Sequence, residues 1–333
     1  MNVLLCTVGR RGYVADYFRA VAGVDHVFST TDRASLEVGY SIGGLSTDGV
    51  DVVSPIRSDT YVGDILEVCS RRNISLLTSL FDLDVLVLSK HLDALVDEGV
   101  FPVLSSTAVC STCISKLATE RFLAGHGFLT PQSTRLADLR PNAATFPLVV
   151  KPDTGHASLN HWLITCAAEL ELLKGSPAAP GLIAQSYLPY PEFGLDVFND
   201  QGGRTIACVV KRKIAMRAGE TDQAVTVKDD ALIEFGVALG EALGHLGPLD
   251  VDLMLTPDGP VVLDLNARLG GGYPLSHAAG VDFPGWMVAM ARGEVPTSRL
   301  GNYREGLVML KDVRPQFFEA GSLAARFTPA GRA

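Results

Sequence analysis

Two stretches in the last third of the chain, 249–255 and 261–268, alternate apolar and polar residues on either side of a short connection. This period of two is typical of strands that bury one face, so the sequence predicts a β-hairpin. The connection, TPDGP, favours a sharp reversal, and centring the turn on its aspartate places Asp252 opposite Asp264. The buried face then pairs Val251, Leu253 and Leu255 with Leu265, Leu263 and Val261.

The other face of this hairpin carries Asp252, Asp264, Asn266 and Arg268. Directly opposed carboxylates lie about 5 Å apart and destabilise a sheet unless a cation sits between them. Two carboxylates and an amide suit Mg²⁺, which completes its coordination with water and substrate phosphates. We therefore predict a metal site formed by Asp252, Asp264 and Asn266, with Mn²⁺ as an alternative ion.

Composition indicates an ordinary globular protein. The 333 residues are 47% hydrophobic and 20% charged, which allows two or three domains. The formal net charge of -9 argues against partners such as nucleic acid or an anionic membrane. The sequence shows neither a signal-peptide pattern nor a membrane-spanning apolar run, so we expect a cytoplasmic protein. Only Cys110 and Cys113 have Cys-x-x-Cys spacing, and we expect the cysteines to be reduced and structural.

The first hundred residues alternate short apolar runs with helical periodicity, which predicts an α/β domain with a parallel sheet. Gly9-Arg10-Arg11-Gly12 follows the first strand but lacks the full dinucleotide fingerprint, so a tight strand-to-helix turn is the favoured interpretation. Asp82 and Asp84 follow the strand at 75–80. They are interpreted equally well as functional groups at a strand end or as carboxylates that stabilise a helix start.

The middle of the chain presents lysines beside small or basic segments. A helix predicted at 111–125 carries Lys116, and a strand at 146–151 ends in Lys151 before a small-residue loop at 152–158. A basic strand at 208–217 follows, in which Lys211 and Arg217 lie on one face. These two are candidates to bind phosphate or a substrate carboxylate, although a basic edge strand would look the same.

The order of these segments resembles the ATP-grasp superfamily. The motifs are Lys116 ahead of 127–131, then FPLVVKPDTGHAS, IAQSYLPYPEFGLDV, GPLDVDLML and VVLDLNARLGGG. The resemblance is greatest to single-copy proteins similar to the carbamoyl-phosphate synthetase large subunit. It implies an α/β pre-ATP-grasp domain at 1–105, a two-subdomain α+β ATP-grasp region at 106–293 with a lid at about 125–188, and a C-terminal segment at 294–333 packing on the ATP-grasp part.

The resemblance also implies roles for individual residues. Lys116 and Lys151 would contact the ATP phosphates, the backbone of Gln185, Ser186, Tyr187 and Leu188 would read adenine, and Glu192 would hold the ribose. Asp252, Asp264 and Asn266 would hold one or two Mg²⁺ ions. Arg268, with Lys211 and Arg217 as further candidates, would meet the transferred phosphoryl group or the acid. Three positions depart from the usual pattern: Ser186 and Asp264 stand where glutamate is common, and Ala157 where glycine is usual.

The implied activity is an ADP-forming ligase that joins a small carboxylic acid to an amine or another nucleophile through an acyl phosphate, using ATP and Mg²⁺. Two alternatives stay open: phosphorylation of bicarbonate or carbamate, and nucleotide binding by a catalytically silent regulatory protein. A single ATP-grasp copy without a glutaminase-like segment weakens the first alternative. The retained lysines and carboxylates weaken the second. A homodimer is left open as the assembly.

Overall fold

The computed structural model describes residues 1–32, 42–140, 144–155, 160–217, 219–312, 315, 317, 319, 322 and 326–329. Residues 156–159, which include Ala157, lie outside these ranges. Within the described ranges, no helix is both long and apolar enough to cross a bilayer. The cysteines are free thiols, all buried except Cys166.

Helices and strands alternate along the N-terminal part and strands dominate the remainder. The N-terminal part contains β1 (Asn2–Cys6), α1 (Tyr13–Arg19), β2 (His26–Thr31), β3 (Gly49–Val52), α2 (Tyr61–Arg72), β4 (Ile74–Ser79), α3 (Asp82–Leu88), α4 (Leu92–Asp97) and β5 (Phe101–Pro102). The middle contains α5 (Thr107–Ile114), α6 (Lys116–Gly125), β6 (Thr134–Arg135), β7 (Leu148–Pro152), β8 (Trp162–Ile164), α7 (Ala167–Lys174) and β9 (Leu182–Ser186). The remainder contains β10 (Glu192–Asn199), β11 (Thr205–Arg217), β12 (Glu220–Thr226), α8 (Asp230–Leu243), β13 (Gly247–Thr256), β14 (Gly259–Asn266), α9 (Tyr273–Ala278), α10 (Phe283–Ala291), β15 (Val308–Leu310) and β16 (Phe327–Pro329).

The N-terminal sheet is parallel, with strand order β16-β3-β2-β1-β4-β5. In the central strand β1 the side chains of Val3, Leu4 and Leu5 are all fully buried. Burial of successive residues is typical of a parallel sheet, because helices cover both of its faces. Gly9 adopts a φ of 60°, which permits the tight turn out of β1. The α/β class predicted for this part of the chain is thus confirmed.

Two antiparallel sheets form the rest of the chain. The central sheet has order β14-β13-β10-β11-β12-β15, and α8 packs on β10 and β11. The smaller sheet, β6-β9-β7-β8, has its own apolar cluster that includes Leu148, Val150 and Leu170. This mixture of one parallel and two antiparallel sheets confirms the predicted fold class. The smaller sheet lies within the range expected for the lid, and the domain boundaries themselves stay predictions.

The hairpin register is confirmed at its functional positions and wrong nearer the turn. Asp252 pairs with Asp264 and Val251 with Leu265, as predicted. A bulge follows, so that Leu253 opposes Val262 instead of Leu263. The tight turn spans only Pro257 and Asp258, because Thr256 pairs with Gly259. At the bulge, Leu263 is the extra residue that has no partner on the opposite strand.

The C-terminal segment contributes to two sheets rather than one. Its strand β15 pairs with β12 and extends the central sheet. Strand β16 instead pairs in parallel with β3, at the edge of the N-terminal sheet. Arg72 binds Thr328 at 3.3 Å and also the buried carboxylate of Asp51.

Candidate active site

A cavity of about 800 Å³ lies where the three sheets meet. Every predicted site residue except Lys211 and Arg217 lines it. The nucleotide candidates among them are Lys116, Lys151, Gln185, Ser186, Tyr187, Leu188 and Glu192. The hairpin contributes Asp252, Asp264, Asn266 and Arg268. Residues far apart in sequence therefore converge on one space, although the role of each residue stays a prediction.

Contacts between helix α6 and the smaller sheet bring Lys116 and Lys151 together. The predicted helix at 111–125 is broken at Ser115, whose extended backbone caps α6 and makes Lys116 its first residue. Asp153, two residues after Lys151, accepts hydrogen bonds from the Ser115 hydroxyl at 3.0 Å and from the Leu117 amide at 2.9 Å. Both lysines are buried, and burial lowers the pKa of Lys151, an effect that Asp264 opposes.

The two hairpin carboxylates are each held by a lysine. Nζ of Lys116 lies 3.3 Å from Asp264, and Nζ of Lys213 lies 2.6 Å from Asp252. These are the cations that the like-charged pair requires. Burial raises the pKa of Asp264, while Lys116 and then Lys151 lower it.

The predicted hinge connects β9 to β10 at the mouth of the cavity. Gln185 is buried and donates to the Ser133 hydroxyl at 2.9 Å, which fixes the end of β9. Tyr187 donates its backbone N–H to the Pro147 carbonyl at 3.1 Å. Glu192 begins β10, and its carboxylate lies 2.7 Å from Nζ of Lys213.

Arg268 lies between a carboxylate at the start of helix α3 and one on strand β13. Its Nε is 2.8 Å from Asp82 and its Nη1 is 3.5 Å from Asp250. The two aspartates that follow β4 have different surroundings. Asp82 lines the cavity, whereas Asp84 is fully buried and accepts hydrogen bonds from the hydroxyls of Thr7, Tyr61 and Ser79.

Lys211 and Arg217 do not line the cavity. Lys211 is buried beneath the 270–272 glycine loop, and its Nζ lies 2.6 Å from the buried carboxylate of Asp196. Arg217 is half-exposed and pairs with Asp222 at 2.5 Å. The strand at 208–217 forms as predicted, within β11. The alternation of polar and apolar residues in this strand could not show that Lys211 forms a buried ion pair or that Arg217 faces solvent.

Several residues of the cavity were not predicted. Lys213 lines the cavity and lies on the same strand face as Lys211. Asp250 also lines it, and because it is two residues before Asp252, both side chains lie on one face of their strand. Burial and then the neighbouring Asp252 raise the pKa of Asp250 to about 7, while Lys211 and Arg268 lower it. His161 also lines the cavity, and burial followed by Lys151 lowers its pKa to about 4. Strand alternation could have identified Lys213 and Asp250, but nothing marks His161 in the sequence.

Two family models match the chain. Residues 178–311 match one described as ATP-grasp in the biosynthetic pathway with Ter operon. Residues 3–103 match one described as PylC-like, N-terminal domain. None of the curated proteins matches the sequence.

Solved structures resemble nearly the whole chain at low identity. One is the biotin carboxylase domain dimer of Hydrogenobacter thermophilus 2-oxoglutarate carboxylase with MgADP, ADP and bicarbonate, at TM-score 0.72 and 14% identity, covering 92% of this chain and 73% of that one. Another is the L-amino acid ligase of Bacillus licheniformis, at TM-score 0.66 and 20% identity, covering 91% and 75%. A third is N5-carboxyaminoimidazole ribonucleotide synthetase of Thermotoga maritima, at TM-score 0.66 and 17% identity, covering 89% and 77%. At these identities the likeness concerns the fold.

Proposed function

From the premise that this chain is an ATP-grasp protein by fold, we propose that it is an ADP-forming ligase that activates a small carboxylic acid as an acyl phosphate and transfers the acyl group to an amine. The observation that carries the proposal is the convergence of lysines, carboxylates and hinge on one cavity of about 800 Å³. Phosphoryl transfer depends chiefly on positioning and on neutralising charge, and these groups supply both.

ATP would lie between the smaller sheet and the central sheet. The two lysines, Lys116 and Lys151, face the hairpin carboxylates and would neutralise the phosphates. The backbone at 185–188 would bind adenine at the cavity mouth, where the strand end is fixed by Gln185. Glu192 at the start of β10 would accept hydrogen bonds from the ribose hydroxyls.

The residues present suit Mg²⁺. Asp252, Asp264 and Asn266 offer oxygen donors, which hard divalent cations prefer. Among the described residues no group of three or more His, Cys, Asp or Glu side chains could hold a metal ion, so an ion here would also need the amide, water and phosphate oxygens. When bound, it would supply positive charge at the phosphates.

The proposed chemistry has two steps. An oxygen of the acid attacks the γ-phosphorus and ADP leaves, while the guanidinium of Arg268 faces the phosphoryl oxygens. The amine then attacks the acyl carbon and inorganic phosphate leaves. The amine must also lose a proton, which a carboxylate of the cavity such as Asp250 would accept.

The acid and amine would enter from the N-terminal side of the cavity. This end is lined by the carboxyl ends of the parallel strands and the loops that follow them, with hydroxyls from Thr7, Thr30 and Ser54 and apolar side chains from Val53, Ile56, Leu80 and Phe81. Ligands of α/β sheets bind at these carboxyl ends.

The test is product analysis with acid and amine pairs. Turnover should release ADP and inorganic phosphate in step with amide formation, and ¹⁸O from the labelled carboxylate should appear in the phosphate. Stoichiometric AMP and pyrophosphate would refute the mechanism. Release of ADP that requires bicarbonate but no amine would favour the bicarbonate alternative, in keeping with the bicarbonate named for the biotin carboxylase neighbour. Nucleotide binding without turnover for any pair would favour the silent regulator.

A further inference from the structure

Lys213 lies between two carboxylates of the cavity, one expected to bind the ribose of ATP and the other expected to bind the metal ion. Its Nζ lies 2.7 Å from Glu192, the ribose candidate, and 2.6 Å from Asp252, a metal candidate. Only 5% of the lysine side chain is exposed. A buried ammonium between two carboxylates is a strong interaction, since removing one partner leaves the other charge uncompensated.

The strand order shows how the lysine reaches this position. Lys213 lies on β11 and Asp252 on β13, and β10 lies between these two strands. The lysine stem must therefore cross β10, and it does so at Gly194, whose strand partner in β13 is Asp252. A Cβ atom built at Gly194 would lie 3.3 Å from Cε of Lys213. The missing side chain thus leaves a passage for the lysine.

Around the expected metal position the cavity is lined by three lysines, Lys116, Lys151 and Lys213, and by three carboxylates, Glu192, Asp252 and Asp264. The neighbouring Asp82 and Asp250 form ion pairs with Arg268. Both hairpin carboxylates are already paired with an ammonium group. A free divalent cation would have to displace Lys213 from Asp252 and leave that ammonium buried beside a single carboxylate.

We propose that Lys213 is an internal counter-ion that makes divalent-metal binding at Asp252 depend on the nucleotide. A nucleoside triphosphate brings enough negative charge to satisfy the displaced ammonium, and so it frees Asp252 for the metal. Without nucleotide, the lysine keeps the metal position closed to free Mg²⁺ or Mn²⁺. The proposal rests on the placement of ATP and metal argued above, and it adds a thermodynamic order to their binding.

The experiment measures Mn²⁺ binding by electron paramagnetic resonance in the whole chain, with and without a non-hydrolysable ATP analogue. Lys213→Met keeps the stem and removes the charge, so it should bind Mn²⁺ at least about tenfold more tightly than wild type when nucleotide is absent. The gain in Mn²⁺ affinity that the analogue produces should shrink by a similar factor. Lys213→Arg keeps the charge and should behave as wild type, as should Lys90→Met, an exposed site outside the cavity.

Equal nucleotide-free Mn²⁺ affinity in Lys213→Met and wild type would overturn the proposal, and so would tight Mn²⁺ binding by nucleotide-free wild type. If Lys213→Met fails to fold, as judged by circular dichroism, Lys213→Gln is measured with the same expectation. Failure of the proposed function gives a different result. In that case the ATP analogue does not bind to wild type at all, with or without metal, whatever Mn²⁺ affinity the lysine variants show.

Discussion

Nε of Arg268 lies 2.8 Å from Oδ1 of Asp82, so a residue beyond the central hairpin is tied to the N-terminal domain. Asp82 is the first residue of α3, at the carboxyl end of a parallel strand. Asp250 holds the same guanidinium from the central sheet. The orientation of the arginine expected at the transferred phosphoryl group therefore depends on carboxylates from both sides of the cavity.

Asp82→Asn should weaken this tie at nearly constant volume. We expect kcat to fall about tenfold, equivalent to roughly 1.4 kcal/mol of transition-state stabilisation, while KM for ATP changes little. Steady-state kinetics of ADP release provide the measurement. Asp93→Asn, a position on α4 outside the cavity, is the matched control and should be silent. A change confined to KM for ATP would place Asp82 with the nucleotide instead.

Asp264→Asn should remove one of the expected metal carboxylates. Turnover is predicted to fall at least about a hundredfold because phosphate charge is no longer neutralised, whereas the fold persists. Asp258→Asn changes the same residue type in the exposed turn of the same hairpin, and it should have wild-type kinetics. Wild-type turnover of Asp264→Asn at ordinary Mg²⁺ would eliminate the metal assignment.

Lys151→Ala and Glu192→Gln should affect ATP differently. Loss of the lysine should raise KM for ATP and lower kcat, since phosphate charge grows on the departing ADP. Loss of the ribose carboxylate should raise KM for ATP several-fold, with kcat changing less. Both parameters are measured over a range of ATP concentrations, with Lys90→Ala as control. Unchanged ATP kinetics in Lys151→Ala would show that the phosphate position is assigned wrongly.

His245 should make the protein sensitive to acid. Its Nδ1 is 3.3 Å from the Gly240 carbonyl, and burial lowers its pKa to about 4. The ordinary pKa of histidine is near 6.5, so between pH 6.5 and 4 the unfolded chain binds a proton at His245 that the folded chain does not. The free energy of unfolding therefore falls as pH falls through this range. The loss from pH 6.5 to 5 should be about 1.6 kcal/mol. Urea unfolding at both pH values should show a smaller loss in His245→Gln, and equal losses would contradict the assignment.

Local alternation in the sequence was enough to predict which hairpin residues face each other. Asp252 and Asp264 face each other because a two-residue period and a turn fix their register. The prediction failed at Leu263, since an extra residue at a bulge leaves no mark in the pattern. Lys211 and Lys213 lie on the same strand face, and the sequence did not show that Lys213 lines the cavity and Lys211 does not. Which of them reaches the hairpin depends on strand order and on Gly194, and both are properties of the folded chain.

The pairing of β16 with β3 has a consequence for synthesis on the ribosome. Strand β3 precedes its partner by nearly the whole described chain, and among the described residues 327–329 are the ones that pair with its outer edge. Until residues 327–329 have been synthesised, the backbone N–H and C=O groups on that edge of Gly49–Val52 would therefore face solvent or another nascent chain. The parallel sheet is complete only once β16 is made, so its exposure to misassociation grows with the time that translation of the intervening residues takes.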